Sequence, residues 1–237
     1  MQISYRKPCY YSSRLLEKLK LLDTQDVLDF KLINKAIYWA KKYHGEQKRK
    51  SGDPYYTHPL EVAYMISDYK LKTDVIVASI LHDIIEDTEV TAGMILDNFG
   101  WRITEMVDML TRDRPDGNKL SVDEVLNNAY QKQDEEVLLI KLFDRLHNLK
   151  TLNAITEEKK KKIALETLSS FLAIALSFDE QGDQMIAKLC FNHLQLNYSQ
   201  PTFSFSNLCK LKPIEFDFIK LIKNRIQPAT MGNASIG

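Results

Sequence analysis

Cysteine is scarce in this 237-residue chain. The three present, Cys9, Cys190 and Cys209, lie far apart and form no Cys-x-x-Cys pair. That excludes a disulfide framework and a cysteine-based zinc site, and it suits the reducing cytoplasm, where the chain is expected to work. No run of about 18 apolar residues occurs, so no membrane-spanning helix is expected. The opening MQISYRKPCYYSS also lacks the apolar centre of a signal peptide. Net charge is missing too, because 32 lysines and arginines offset 32 aspartates and glutamates. Whole-molecule attraction to nucleic acid or to an anionic membrane therefore has little support, and only a local basic patch could gather anions. Strict alternation of apolar and polar residues is scarce, and no internal repeat is visible.

What the chain does have is a hydrophobic content of 44%, ample for a sizeable core in one large or two small domains. Its periodicity is helical. After an irregular lead over 1–11, leucines 15, 16, 19 and 22 keep amphipathic spacing in a short helix, and Leu32 to Ala40 do so in a stronger one. The stretch KYHGEQKRKSGDPYYTHP holds Gly45, Gly52, Pro54 and Pro59, which forbid a continuous helix and predict a loop. Further helices are expected from about Pro59 to Tyr69, from a capping Thr73 onward, over 91–99 and over 103–110, with a break at Gly100. RDRPDGN at 112–118 reads as a polar turn, and Ser121-Val-Asp-Glu has the form of a capping box. Val137 to Leu149 is strongly apolar yet carries Asp144, Arg145, His147 and Asn148. Helices over 157–178 and 184–196, a loop over 201–212, a last helix or partly extended segment over 214–226 and a small, polar, disordered tail complete an all-α chain.

One stretch is at odds with simple packing. Leu81–Thr88 reads LHDIIEDT and places His82, Asp83, Glu86 and Asp87 at the end of the almost wholly apolar run Val75–Leu81. On a continuous helix these four fall on one broad face. Three carboxylates beside an imidazole repel one another and lose hydration unless a positive charge holds them, and a divalent cation is the economical answer. A solvated acidic helix end is the plainer alternative. His58, fixed before Pro59 at a loop-to-helix junction, can face the His82-Asp83 pair. Asp144, a carboxylate in an apolar helix, is the fourth candidate, with a salt bridge to Arg145 or another base as its alternative. Two imidazoles and two carboxylates suit Mn²⁺ or Fe²⁺ with open coordination positions, and Zn²⁺ less well. Such a cation would acidify a bound water for attack on phosphorus.

Together these residues resemble a family. His58, His82-Asp83 and Asp144 follow the metal pattern of the HD superfamily. The stretches QKRKSGDPYYTHPLEVA at 47–63, LHDIIEDT at 81–88 and IKLFDRLHNLKTL at 140–152 are similar to the hydrolase domain of the RelA/SpoT homologues, which degrade the alarmone (p)ppGpp. The similarity covers about residues 31–196. The resemblance implies an HD-domain helical bundle with additional C-terminal helices. Residues 1–30 would be a lead and short helix, 31–196 the hydrolase domain with linking helices from about 155, and 197–237 an extension. It implies His58, His82, Asp83 and Asp144 as ligands of one Mn²⁺, and Glu86 and Asp87 as the catalytic acidic pair. Arg49, Lys50 and Ser51 would contact the nucleotide, with Asn148 and Thr151 lining its guanosine side.

The chain departs from the family at Glu46, where glycine is usual, and is shorter between Leu110 and Asp144. No synthetase segment is expected in it. His44, His147 and His193 receive no role, although His147 could either support the site around Asp144 or simply pack. The expected function is metal-dependent release of pyrophosphate from a guanine nucleotide alarmone, with no nucleic-acid or membrane partner and oligomerisation left open. The alternatives are an HD phosphohydrolase acting on another nucleotide, or a non-catalytic alarmone- or partner-binding remnant of a split long enzyme. The intact acidic pair favours catalysis.

Overall fold

The computed structural model describes Tyr5, residues 7–151 and, beyond them, Thr156, Glu158, Lys159, Ile163, Glu166, Thr167, Ser170 and Phe171. The chain divides into two compact units, Met1–Ile155 and Thr156–Gly237. In the second, Glu158, Lys159, Ile163, Glu166, Thr167 and Ser170 are helical. The rest of the helix expected over 157–178, the helix over 184–196, the loop over 201–212, the helix or partly extended segment over 214–226 and the tail lie outside the described residues.

The first unit is all-α. Its helices are α1 (Tyr10–Leu22), α2 (Phe30–His44), α3 (Thr57–Ile66), α4 (Thr73–Leu81), the single turn α5 (Ile84–Asp87), α6 (Ala92–Phe99), α7 (Trp101–Leu110), α8 (Val122–Gln131) and α9 (Glu135–Lys150). Among the described residues there is no strand, only the isolated bridges Lys48–Pro54 and Asp113–Lys119. No helix there is long and apolar enough to cross a membrane.

α4 is the axis of this unit. Every residue from Val75 to Leu81 is buried, as befits a helix that is apolar all round, and α2, α3, α7 and α9 pack around it. Each fully buried Val, Leu or Ile contributes about 1.5–3 kcal/mol of transfer free energy. The one hydroxyl in that run, Ser79, is buried and donates to the Val75 carbonyl (2.7 Å). At its C-terminal end this core helix releases the chain as the polar motif begins.

Local signals set most boundaries. Asp29 caps α2, accepting from the Leu32 amide, and Gly45 with φ +49° ends it. Thr91 caps α6, Ser121 and Glu124 form the expected capping box of α8, and Asp134 caps α9. Gly100, with φ +84°, makes the break between α6 and α7. Several boundaries differ from the sequence reading, among them the end of α3 at Ile66 and the start of α7 at Trp101, and three have a visible cause. α1 starts at Tyr10, because Cys9 and Ser12 form a reciprocal cap inside the expected lead. α3 starts at Thr57, one residue before His58, since Pro54 supplies a carbonyl for the Thr57 amide (3.1 Å). Thr73 is the first residue of α4 and does not cap it; its hydroxyl instead accepts from the Asp29 amide (2.9 Å).

Candidate active site

The site is built where α4 stops. After Leu81 the chain makes a turn at His82 and Asp83 before α5 resumes. The motif is therefore not one continuous helical face. A helix end leaves carbonyls without partners, and the His82 ring uses one of them: its Nδ1 donates to the Ser79 carbonyl (2.8 Å). That bond keeps the Nδ1 proton in place, so Nε2 is the atom that can exchange a proton for a metal. This Nε2 is buried and makes no aligned hydrogen bond, although Asp83 Oδ1 lies 3.1 Å and Asp144 Oδ1 3.8 Å away. His58, in the first turn of α3, brings its Nε2 to 3.4 Å from Asp83 Oδ2 and 3.2 Å from Asp144 Oδ1. Ligand atoms of His58, His82 and Asp144 all lie within 4.8 Å of one another, and all three residues are buried. Asp83 faces both rings across the same space.

An orphaned ring nitrogen aimed at two carboxylates fits a divalent cation. The electrostatics agree. Burial alone would push the His82 pKa down, but the Asp83 and Asp144 carboxylates overcome it and raise it to about 10. Burial would raise Asp83 and Asp144, yet the facing imidazoles and, for Asp144, Lys141 hold both well below the usual carboxylate range. The cluster thus demands positive charge at its centre. A metal supplies it while displacing the proton that otherwise sits there.

α9 delivers Asp144 already supported. Its Oδ2 accepts from the buried Lys141 (3.0 Å), and its Oδ1 accepts from Asn148 Nδ2 (2.7 Å) while facing the imidazoles. A salt-bridged aspartate and a ligand-set aspartate are here the same residue, the base being Lys141. Sequence reading passed over Lys141, although its spacing of three residues on the same apolar helix was the available signal.

Two hairpins of the same build flank α5. In the first, Arg49 and Asp53 pair through the Arg49 amide and Asp53 carbonyl (2.9 Å), and the Gly52 amide donates to the Arg49 carbonyl (2.9 Å) with φ +92° at Gly52. In the second, Arg114 and Asn118 pair likewise, with Gly117 at φ +83°. Type I turns followed by a left-handed glycine give this geometry. From the first hairpin Gln47 Nε2 donates to the Asp87 carbonyl (2.7 Å), and Tyr55, whose amide pairs with the Gln47 carbonyl, donates its hydroxyl to Asp83 Oδ2 (3.3 Å). From the base of the second, the Arg112 amide donates to Glu86, and Lys119 Nζ lies 3.7 Å from Glu86 Oε2. Glu86 and Asp87 consequently part company. Glu86 is held by the second hairpin, while Asp87 faces Tyr55 and Asp83, where burial and the Asp83 charge raise its pKa.

The candidate substrate contacts separate in the same way. Arg49 turns inward, its Nη2 donating to Asn148 Oδ1 (2.9 Å) and Thr151 Oγ1 (3.4 Å). Lys50 and Ser51 sit on the exposed tip, where Ser51 Oγ donates to Asp53 (2.8 Å). His147 joins the cluster from α9. Its Nδ1 meets Arg49 Nη1 (3.1 Å) and His58 Nδ1 (2.8 Å). Burial first, then the neighbouring His58 and Arg49, lower its pKa to about 3, so the ring is neutral. His44 is buried, stacked on Tyr55 (4.8 Å) and bonded to Gln47 Oε1 (3.0 Å).

Comparison with known proteins matches residues 36–176, more than half of the chain, to the HD domain. The chain belongs to the HD-domain family. HD domains bind divalent metal, and the cluster of His58, His82 and Asp144 lies within the matched residues. Among curated HD relatives, a guanosine-3′,5′-bis(diphosphate) 3′-pyrophosphohydrolase of Aquifex aeolicus is 40% identical over 149 residues, 60% of this chain and 21% of the relative. A GTP pyrophosphokinase of Myxococcus xanthus is 39% identical over 191 residues, covering 77% and 25%. The chain thus spans about a fifth to a quarter of the length of these relatives. A solved structure of a metazoan orthologue of SpoT that hydrolyses ppGpp aligns with a TM-score of 0.54 at 22% identity, covering 80% of this chain and all of that one. At that identity it is the HD fold that is shared.

Proposed function

We propose that this chain hydrolyses (p)ppGpp at its 3′ position, releasing pyrophosphate and leaving GDP or GTP, with Mn²⁺ as its cation. The observation that carries the reading is His82 Nε2, buried with no aligned hydrogen bond in a cluster with Asp83, Asp144 and His58, whose other ring nitrogen meets His147 beside the inward-turned Arg49. His58, His82, Asp83 and Asp144 would hold the cation, which when bound acidifies water and draws charge from a phosphoryl oxygen. The chain's own groups do the rest. Arg49, with Lys50 at the hairpin tip, offers charge-assisted donors to a diphosphate. Asn148 and Thr151, which now seat Arg49, line the nucleoside side, and Ser51 contacts the nucleotide from the hairpin. Asp87, its affinity for a proton increased by burial, takes the proton of the attacking water at its carboxylate oxygen. Glu86, anchored by Arg112 and Lys119, fixes the turn that carries Asp87. A cytoplasmic setting fits a nucleotide substrate and three dispersed cysteines.

The test is purified protein with Mn²⁺ and ppGpp, with pyrophosphate and GDP measured. Stoichiometric release of both is expected. Turnover of other nucleotides alone would reassign the substrate, and tight alarmone binding without turnover would make the chain a binding module.

A further inference from the structure

Three side chains from three elements meet on one nitrogen. His147 Nδ1 lies 2.8 Å from His58 Nδ1 and 3.1 Å from Arg49 Nη1. The direction of both hydrogen bonds follows from chemistry. A guanidinium can only donate. If His58 offers its Nε2 lone pair towards Asp83 and Asp144, where that atom points, its proton must sit on Nδ1, and that ring also donates. Two donors therefore compete for the single in-plane lone pair of a neutral imidazole, and neither bond can be fully formed. Ligating histidines are oriented and made more basic by the acceptor their other nitrogen finds. Here that acceptor is shared with the residue poised to grip an anion.

We propose that His147 is a positioning residue that couples the two halves of the site: when Arg49 leaves it for a phosphate, His58 gains the whole Nδ1 lone pair and holds the cation more tightly. Anion and cation binding then reinforce one another, and by linkage the effect is reciprocal. The proposal rests on His58 as a metal ligand and on Arg49 as the phosphate contact. A second route from Arg49 runs through Asn148 to Asp144 Oδ1, so the experiment isolates His147 by varying its lone-pair count.

The measurement is Mn²⁺ affinity of the full chain by calorimetry, with no nucleotide present, so that it stands apart from the identity of the substrate. Arg49→Ala stands in for the departure of the arginine. It should tighten Mn²⁺ about fivefold, the low end of typical coupling between sites. His147→Leu removes the acceptor and should weaken Mn²⁺ by roughly 10- to 100-fold, the usual consequence of losing such a partner. His147→Asn places a carbonyl oxygen, with two lone pairs, near the same point. It should restore Mn²⁺ affinity, yet adding Arg49→Ala to it should give no further gain. If Arg49→Ala tightens Mn²⁺ equally on the Asn background, the effect is loss of a nearby positive charge alone and the coupling is overturned. Parental affinity in folded His147→Leu overturns the tie to His58. Should the Leu variant fail to fold, the comparison of Arg49→Ala on the parental and Asn backgrounds still decides, and an unchanged affinity for Arg49→Ala in the parent overturns the proposal.

Discussion

At the scale of single residues the site separates holding a cation from using it. Asp87 lies outside the set formed by His58, His82 and Asp144, facing Tyr55 instead. Asp87→Asn preserves size but cannot take a proton. Mn²⁺ content should stay stoichiometric while kcat falls by ~10²–10⁴, the weight of a positioned base; parental turnover, or protein arriving without metal, would contradict the assignment. His82 gives a pH prediction. Its folded pKa of about 10 lies above the ordinary histidine value near 6.5. The stability it contributes to the metal-free protein is full below about pH 6.5 and disappears as pH rises through the folded value. Melting of metal-free protein should therefore weaken over that window, and Mn²⁺ should offset the loss. Because the cation displaces this proton, calorimetry near neutral pH in buffers of different ionisation enthalpy should show about one proton released per Mn²⁺; none released would mean that His82 is already neutral. Much at this scale was legible. Four polar residues ending an apolar run identified the motif, because such a pattern has no packing rationale. Lys141 was not legible, and His147 was legible only as one of two readings, since a lysine and a histidine inside an apolar helix look like ordinary amphipathic positions until the tertiary fold supplies their partners.

At the scale of elements, helix existence was carried by periodicity and helix ends by capping chemistry. The ends that went astray are those set from a distance. Thr73 looks like a cap but spends its hydroxyl on Asp29, a partner 44 positions away. The break after Leu81 has no glycine or proline to announce it; it arises where His82 takes the Ser79 carbonyl. The ends of α7 and α9 illustrate long-range bracing. Arg102 at the start of α7 donates to both oxygens of Asp134 (2.6 and 2.9 Å) and to Glu136 (2.8 Å). Burial alone would raise the two carboxyls, but the guanidinium hydrogen bonds outweigh it and lower both. Their stabilisation is present above the unfolded carboxyl range and is lost as pH falls through the depressed folded values. Arg102→Ala should cost about 2–3 kcal/mol at neutral pH, the weight of hydrogen bonds to charged groups. The difference from the parent should shrink in acid. Urea midpoints at several pH values would check it, and a pH-independent difference would assign the cost to packing.

At the scale of the molecule, zero net charge would leave recognition of the proposed polyanionic substrate to local fields, and the two basic hairpins on either side of α5 are where such fields would arise. Lys48, Arg49 and Lys50 stand on one, and Arg112, Arg114 and Lys119 on the other. Both hairpins, all four candidate ligands and the groups that support them, Ser79, Lys141, His147 and Asn148, fall within Met1–Ile155. That unit also contains the whole of the core helix α4 and, among the described residues, the helices α2, α3, α7 and α9 that pack on it. A fragment ending at Ile155 should consequently fold with a single cooperative transition. It should also bind one Mn²⁺ with an affinity within about twofold of the full chain, because every candidate ligand and every named supporting group lies before Ile155. The HD-domain match runs past this boundary to residue 176, which gives the opposite result a definite meaning. If the fragment melts without cooperativity, or binds no Mn²⁺ while a fragment ending at residue 176 does, then residues 156–176 complete the core or the site, and the unit that evolution treats as the HD domain is also the smallest one that folds.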